Sequence, residues 1–425
     1  MRRMEAPVSK TTADTTTTPT VPTRMSRSAI LAVTVAALGY FVDIYDLILF
    51  GVVRDASLIA IGVPEAERAV VGENLMSIQM AGMLVGGIVW GVLGDKRGRL
   101  SVLFGSILLY SSANIANGFV DSVTMYGVLR FVAGVGLAGE LGAGITLATE
   151  LIDARLRGYA TTIIATIGIC GALAAGVVGQ SFEWRTAYFV GGGMGLALLL
   201  LRVGVLESGI FARVKETDAK RGHFLSLFTS KDRLRRYLAV VVAGVPVWYG
   251  VGLLAIGSPE ITGALGVDPA PSRASAIVWM YAGLALGDLG SGLLSQLLKS
   301  RKKAILTFLV LNVVCIAFYF TLARTQTLVY VACFLLGVAN GYWAVFVTTA
   351  AEQFGTNLRA TAATTAPNFV RGSLVLTTAL FHALAVHVSL PNAALIVGVI
   401  VLGGAFLAIR GLDETYGKDL DFVEH

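Results

Sequence analysis

Two aspartates, Asp43 and Asp46, stand in the stretch FVDIYDLILF, inside an apolar run that begins near Ala29 and stops at Arg54. A charged side chain at the centre of a membrane helix costs about 2.5–3.5 kcal/mol on insertion scales, so such residues usually face a protein interior and have a partner. A carboxylate whose surroundings alternate between apolar and cationic can load and release a proton. Asp46 lies eight residues before Arg54, roughly 12 Å of helix, and Arg130 lies roughly 10 Å into an apolar run that starts at 123. The depths match, so a cluster of Asp43, Asp46 and Arg130 is expected, with one aspartate titrating. Glu140 follows Arg130 in the same run, among Gly136, Gly139, Gly142 and Gly144, and joins the candidate proton-coupling set. The competing reading for all four is a static buried ion pair or an interhelical hydrogen bond.

Arg371, in APNFVRG, is the candidate for gripping an anionic substrate, because a guanidinium meets a carboxylate through two parallel hydrogen bonds. Asp288 sits near the middle of another apolar run and is either a substrate contact or the structural partner of Arg371. Gln79, Trp248, Tyr249, Asn340 and Tyr342, with Asn114 and Trp343, are candidates to line the same cavity, against a packing role for each.

These residues need a membrane-spanning frame. Of 425 residues, 55% are hydrophobic and 14% charged, too little charge for a soluble chain of this length. Twelve apolar runs have spanning length: 29–53, 74–94, 100–119, 123–151, 159–181, 186–206, 237–257, 274–298, 304–323, 328–351, 360–388 and 391–410. The expected organisation is an N-terminal tail (1–28), a first six-helix half (29–206), a cytoplasmic linker (207–236), a second half (237–410) and a tail (411–425). The Thr-rich start reads as disordered, and the first run is too long for a cleaved signal. Of the 33 Lys and Arg, 26 fall on the side of the N-terminus and five on the other, which predicts both termini in the cytoplasm of a plasma-membrane protein. The basic excess is therefore an orientation signal, and nucleic acid is not an expected partner.

The halves repeat each other. ATELIDARLRGYATT in the first matches AAEQFGTNLRATAATT in the second, and Glu150–Arg157 and Glu352–Arg359 share a seven-residue spacing. Two parallel six-span halves are a transporter architecture. The three cysteines lie in apolar runs and the four histidines have no ligand spacing, so neither disulfide nor metal is expected. A nucleotide-binding loop or nucleophile motif is also missing, which argues against an enzyme. The alternatives kept are an exporter running substrate against protons and a non-transporting sensor.

GVLGDKRGR, from Gly91 to Arg99, resembles the signature loop between spans two and three of the major facilitator superfamily. Gly91, Asp95, Lys96, Gly98 and Arg99 match; Leu100 replaces the last basic residue, and the second half keeps a worn copy with Gln296 in place of the acid. RFVAGVG is similar to the family's span-four pattern, at Arg130, Gly134 and Gly136. Gly139, Glu140, Trp184, Arg185, Glu207 and Ser208 resemble the metabolite:proton symporter branch. The resemblance implies an all-α integral membrane protein with twelve transmembrane helices in two six-helix pseudo-repeated halves, spans one and four lining a central cavity. It implies gating by Asp95 and its motif, and by the Glu150–Arg157 and Glu352–Arg359 pairs. It also implies proton-coupled uptake of a small polar metabolite such as an organic or sugar acid. The expected partners are that small molecule and the lipid bilayer, the chain acting as a monomer, with the proton as coupling ion and no other cofactor. Span five lacks the Gly-Pro pair of family drug exporters, which favours uptake.

Overall fold

A computed structural model describes residues 27–97, 99–140, 154–207, 224–355 and 358–418. Among the described residues there are no strands. The first half contains α1 (Arg27–Ala60), α2 (Glu65–Arg97), α3 (Arg99–Asn117), α4 (Val123–Leu137), α5 (Ala154–Ser181) and α6 (Trp184–Glu207). The second contains α7 (Lys231–Trp248), α8 (Arg273–Leu297), α9 (Arg301–Thr321), α10 (Gln326–Asn340), α11 (Arg359–Ala385) and α12 (Leu390–Arg410). Two of these continue past an irregularity. Pro246 lacks the N–H that would close its turn, and α7 runs on as a wide π turn over Tyr249–Ala255. α10 breaks at Gly341 and resumes over Trp343–Glu352. Hydroxyl caps start several helices: Ser122, Ser272, Ser300 and Thr325 each accept a backbone N–H three residues on.

The sequence repeat is a packing repeat. α1 packs on α5 and α7 on α11; α2 on α4 and α8 on α10; α3 on α6 and α9 on α12. Glycine sets the closest of these crossings. A Cβ at Gly82 or Gly134 would strike the carbonyls of Phe131 and Gln79, and a Cβ at Gly283 or Gly337 those of Phe334 and Met280. The same backbone-to-backbone approach thus joins α2 to α4 and α8 to α10, as small residues allow in membranes. The halves meet along a seam where α2 packs on α11 and α5 on α8. Leu200, Leu297, Leu376 and Val386 are exposed on the outer surface, as a lipid-facing wall requires.

Nine of the described helical segments are each long and apolar enough to cross a membrane, and the described part of α4 is a shorter apolar helix. Several boundaries differ from those read in the sequence. α1 continues to Ala60 and α2 begins at Glu65, so Arg54 is not a loop residue; it is buried and donates to the Ala69 carbonyl at 2.6 Å. α7 starts at Lys231 because its charged first turns are held in register by Asp232 and Arg236 at 3.1 Å. Arg202, counted among the charges of the terminal face, is buried in α6.

Candidate functional site

A small cavity lies at the seam, with room for about one or two water molecules. Its wall includes Tyr40 from α1, Ile169 from α5, Trp248 from α7, Tyr281 from α8, Trp343 from the second piece of α10, and Arg371 from α11. Arg371 is held there by three groups. Asp43 faces it across the seam, Oδ2 3.6 Å from Nη2. Asn368, one turn back, accepts from Nη1 at 3.5 Å, and the Trp343 ring lies 5.8 Å from the guanidinium carbon. Both members of the ion pair are buried. Among the described residues, Arg371 Nε and Nη2 and both Asp43 oxygens nevertheless have no hydrogen-bond partner. Buried donors and acceptors are normally satisfied by protein or ordered water, so these atoms are available to a further polar partner.

The expected Asp43/Asp46–Arg130 cluster is divided. Asp43 belongs to the seam and pairs with Arg371. Asp46 turns into the first half, where Gly191 of α6 leaves room for its carboxylate, and makes no ion pair within 4 Å among the described residues. Arg130 instead donates to the side-chain amide oxygen of Gln79, stands 3.5 Å from the Tyr188 hydroxyl and lies over the Phe50 ring at 4.7 Å. The reason is angular. Three residues of helix turn about 300°, leaving side chains about 60° apart, enough at a seam to point them into different bodies.

Glu140 lies away from the cavity. It forms a two-pronged ion pair with Arg202, 3.1 Å for Nη1 to Oε2 and closer still for Nη2 to Oε1, supported by Ser106 at 3.5 Å. Gly39 of α1 leaves space for this pair. With its acceptors engaged, Glu140 reads as a brace of the first half. Asp288 is not the partner of Arg371. Its Oδ1 accepts the Ala344 backbone N–H at 2.9 Å, at the start of the second piece of α10, where a break has exposed unpaired donors.

The candidate lining residues separate in the same way. Trp248, with Trp343, lines the cavity. Gln79 serves Arg130; Asn340 accepts from Asn312 at 3.2 Å; the Tyr342 and Tyr249 hydroxyls donate to the carbonyls of Ala243 at 2.9 Å and Ala394 at 2.8 Å. Asn114 is buried in the first half. Tyr40, Ile169 and Tyr281 were not singled out by sequence; Tyr40 stands one turn before Asp43, on the same side of α1, and that spacing was the available signal.

Among the gating candidates, Gly91 is buried where α2 meets Thr365 of α11. Gly98 and Glu150, and the side chains of Asp95, Lys96, Arg99 and Arg157, lie outside the described residues. Glu352 pairs with Arg301 at 3.3 Å rather than with Arg359, and accepts from the Thr415 hydroxyl at 2.7 Å. Arg301 opens α9 beside the end of α10, whereas Arg359 opens α11 beyond the intervening turn. Near that face Glu414 accepts from the Ser300 hydroxyl and from the backbone N–H of Arg301 at 2.8 Å. Partial burial opposes its ionisation, but those donors prevail and hold the Glu414 carboxyl below the usual carboxylate range.

The family model described as Major Facilitator Superfamily matches residues 30–372. The chain is 26% identical, over 91% of its length and 90% of the relative's, to a protein of Cupriavidus pinatubonensis described as a probable 4-methylmuconolactone transporter. It is 24% identical to a niacin transporter of Acinetobacter baylyi, over 82% of this chain and 87% of the other. A gentisate transporter of Corynebacterium glutamicum is 26% identical over 76% of this chain and 75% of the other. With two six-helix halves, the repeated glycine crossings and this match, the chain belongs to the major facilitator superfamily and is a membrane transporter of small molecules.

Proposed function

We propose that this transporter is a proton-coupled symporter that takes up a small organic acid, an aromatic or similarly planar monocarboxylate, across the plasma membrane, with both termini in the cytoplasm. The observation that carries the reading is the Asp43–Arg371 pair at the cavity wall. An incoming carboxylate competes with Asp43 for the guanidinium. If Asp43 takes a proton as the substrate arrives, the charge count in the cavity is unchanged and neither anion is stranded in low dielectric. Proton and substrate then travel together because protonation of Asp43 frees the guanidinium that the substrate carboxylate takes. Trp343, Tyr40 and Tyr281 supply flat apolar faces for a planar substrate, and rings prefer offset or edge-on contact with such faces. The relatives named for niacin and gentisate agree with a carboxylate-bearing ring.

The test is uptake into proteoliposomes holding the purified protein, with labelled nicotinate, gentisate, benzoate, gluconate and glucose, with and without an inward proton gradient. Accumulation of a ring carboxylate only when the gradient is imposed is the expected result. Gradient-driven uptake of glucose would overturn the acid reading, and accumulation only under the reversed gradient would make the chain an exporter.

A further inference from the structure

The seam carries charged contacts at the membrane face away from the chain termini, and none of them belongs to the cavity. Arg273, the first residue of α8, is buried; its Nε stands 3.5 Å from Asp55 of α1 and its Nη2 2.6 Å from Glu260. Glu260 lies on the short helix Ser258–Gly263 that follows α7. Burial works against the ionised form of Glu260, yet Arg273 overrides it and keeps the carboxyl below its ordinary range. On the second seam contact, His382 near the end of α11 donates from Nε2 to Glu73 of α2 at 2.6 Å. Asp55 and Glu73 belong to the first half, Arg273, Glu260 and His382 to the second.

We propose that Asp55–Arg273 and Glu73–His382 form the gate on the face away from the termini: two links that must part before the cavity opens there. In this superfamily's architecture access changes by rocking one half against the other, so only contacts that cross the seam can report or resist that motion. The inference rests on the superfamily fold and is independent of which substrate is carried.

Three features fit a gate better than a static brace. First, each link joins a different pair of helices, α1 to α8 and α2 to α11, so together they resist both separation and twist. Secondly, the links are wettable: the side chains of Asp55, His382 and Glu73 are 57%, 50% and 33% exposed, so on parting they regain water at little cost. Thirdly, neither buried charge is stranded: Arg54, beside these residues, keeps the Ala69 carbonyl on its own half. Arg273 keeps Glu260 and the Ile256 carbonyl, both on its own half, when Asp55 leaves. A buried arginine with its only partner across the seam would lock the protein shut. Apart from the Asp43–Arg371 pair at the cavity wall, the described polar contacts across the seam away from this face are neutral: Thr348 to Thr161 at 3.2 Å and Asn368 to the Ala138 carbonyl at 2.8 Å.

The experiment is an electron–electron distance measurement on full-length protein in lipid nanodiscs, without substrate. Spin labels go on cysteines at Glu67 and His387, both exposed on the gated face, one per half. The native Cys170, Cys315 and Cys333 are replaced by serine, with a second background that keeps them, since two of the three are buried and label slowly. Asp55→Asn and His382→Gln are each expected to raise the ratio of long to short distances about two- to fivefold, and the double variant by more. Asp121→Asn, an exposed acid on the same face but off the seam, is expected to change nothing. Unchanged distances in the Asp55→Asn/His382→Gln double variant overturn the proposal. An equal shift with Asp121→Asn also overturns it, because surface charge in general would then be responsible.

Discussion

Asp43 and Asp46 lie three residues apart on one helix and are equally buried, yet they belong to different parts of the machine. Asp43 looks across the seam to a guanidinium on the other half. Asp46 looks into its own half, near an arginine that is already held by Gln79, Tyr188 and Phe50. When the halves move, the surroundings of Asp43 change and those of Asp46 travel with it. A titratable group couples to conformation only through a difference between states. Under the proposed symport, the carboxylate at the seam is therefore the better coupling group of two that sequence makes equivalent, and the other is an internal element of the first half.

The largest break in that contrast is Arg371→Ala. It leaves Asp43 buried without its counter-charge, which costs about 3–5 kcal/mol where a buried pair is broken from one side. Thermal unfolding in detergent should show a pronounced loss, with Asp43→Asn in the Arg371→Ala background recovering much of it. Asp46→Asn in the same background should recover nothing. Equal rescue by both would return the two aspartates to one cluster.

A smaller and sharper test uses pH. Under the competition proposed for Arg371, carboxylate binding falls as pH rises once Asp43 ionises, by at most tenfold per unit for a single linked proton. The sign follows from the exchange: the protonated aspartate frees the guanidinium, and the ionised one reclaims it. Asp43→Asn should flatten this slope, whereas Asp46→Asn should leave it intact. Equilibrium binding of the acid identified by the uptake panel, from pH 5 to about 8, measures both. A slope that survives Asp43→Asn and vanishes in Asp46→Asn would reverse the assignment.

Much of the frame was legible in the sequence. Hydropathy runs marked the helices, and the repeat between the halves reappears as paired packing, with Gly134 and Gly337 at duplicated crossings. Arg371 was legible as a candidate, and the structure puts it on the cavity wall facing Asp43. The pairings were not, and the cause is physical. A helix bathed in lipid is apolar all round, so periodicity does not reveal which face looks inward, and partners on other helices cannot be read from it. Arg202 counts with the charges of the terminal face from its place near the end of its run, because its partner Glu140 lies on another helix. Asp55, Glu73, Arg273 and His382 carry no signal in the sequence, because the seam that collects them joins helices far apart in the chain.

The smallest expected effect concerns Asp288, which sequence treated as a companion of Arg371. Its carboxylate caps the second piece of α10, one oxygen on the Ala344 N–H and the other without a hydrogen bond. An asparagine in its place retains an oxygen for that N–H and gives up only the charge at the start of the helix. Interactions of that kind are worth about 0.3–1 kcal/mol, and removing a buried charge offsets part of it. Asp288→Asn should thus unfold within about 1 kcal/mol of the unmodified protein and bind the carboxylate with unchanged affinity and pH slope. Asp288→Ala, which removes the acceptor as well, should cost more stability and still spare the pH slope. If Asp288→Asn altered the slope as Asp43→Asn is expected to, the break in α10 would be part of the proton site, and the coupling would be shared between the halves.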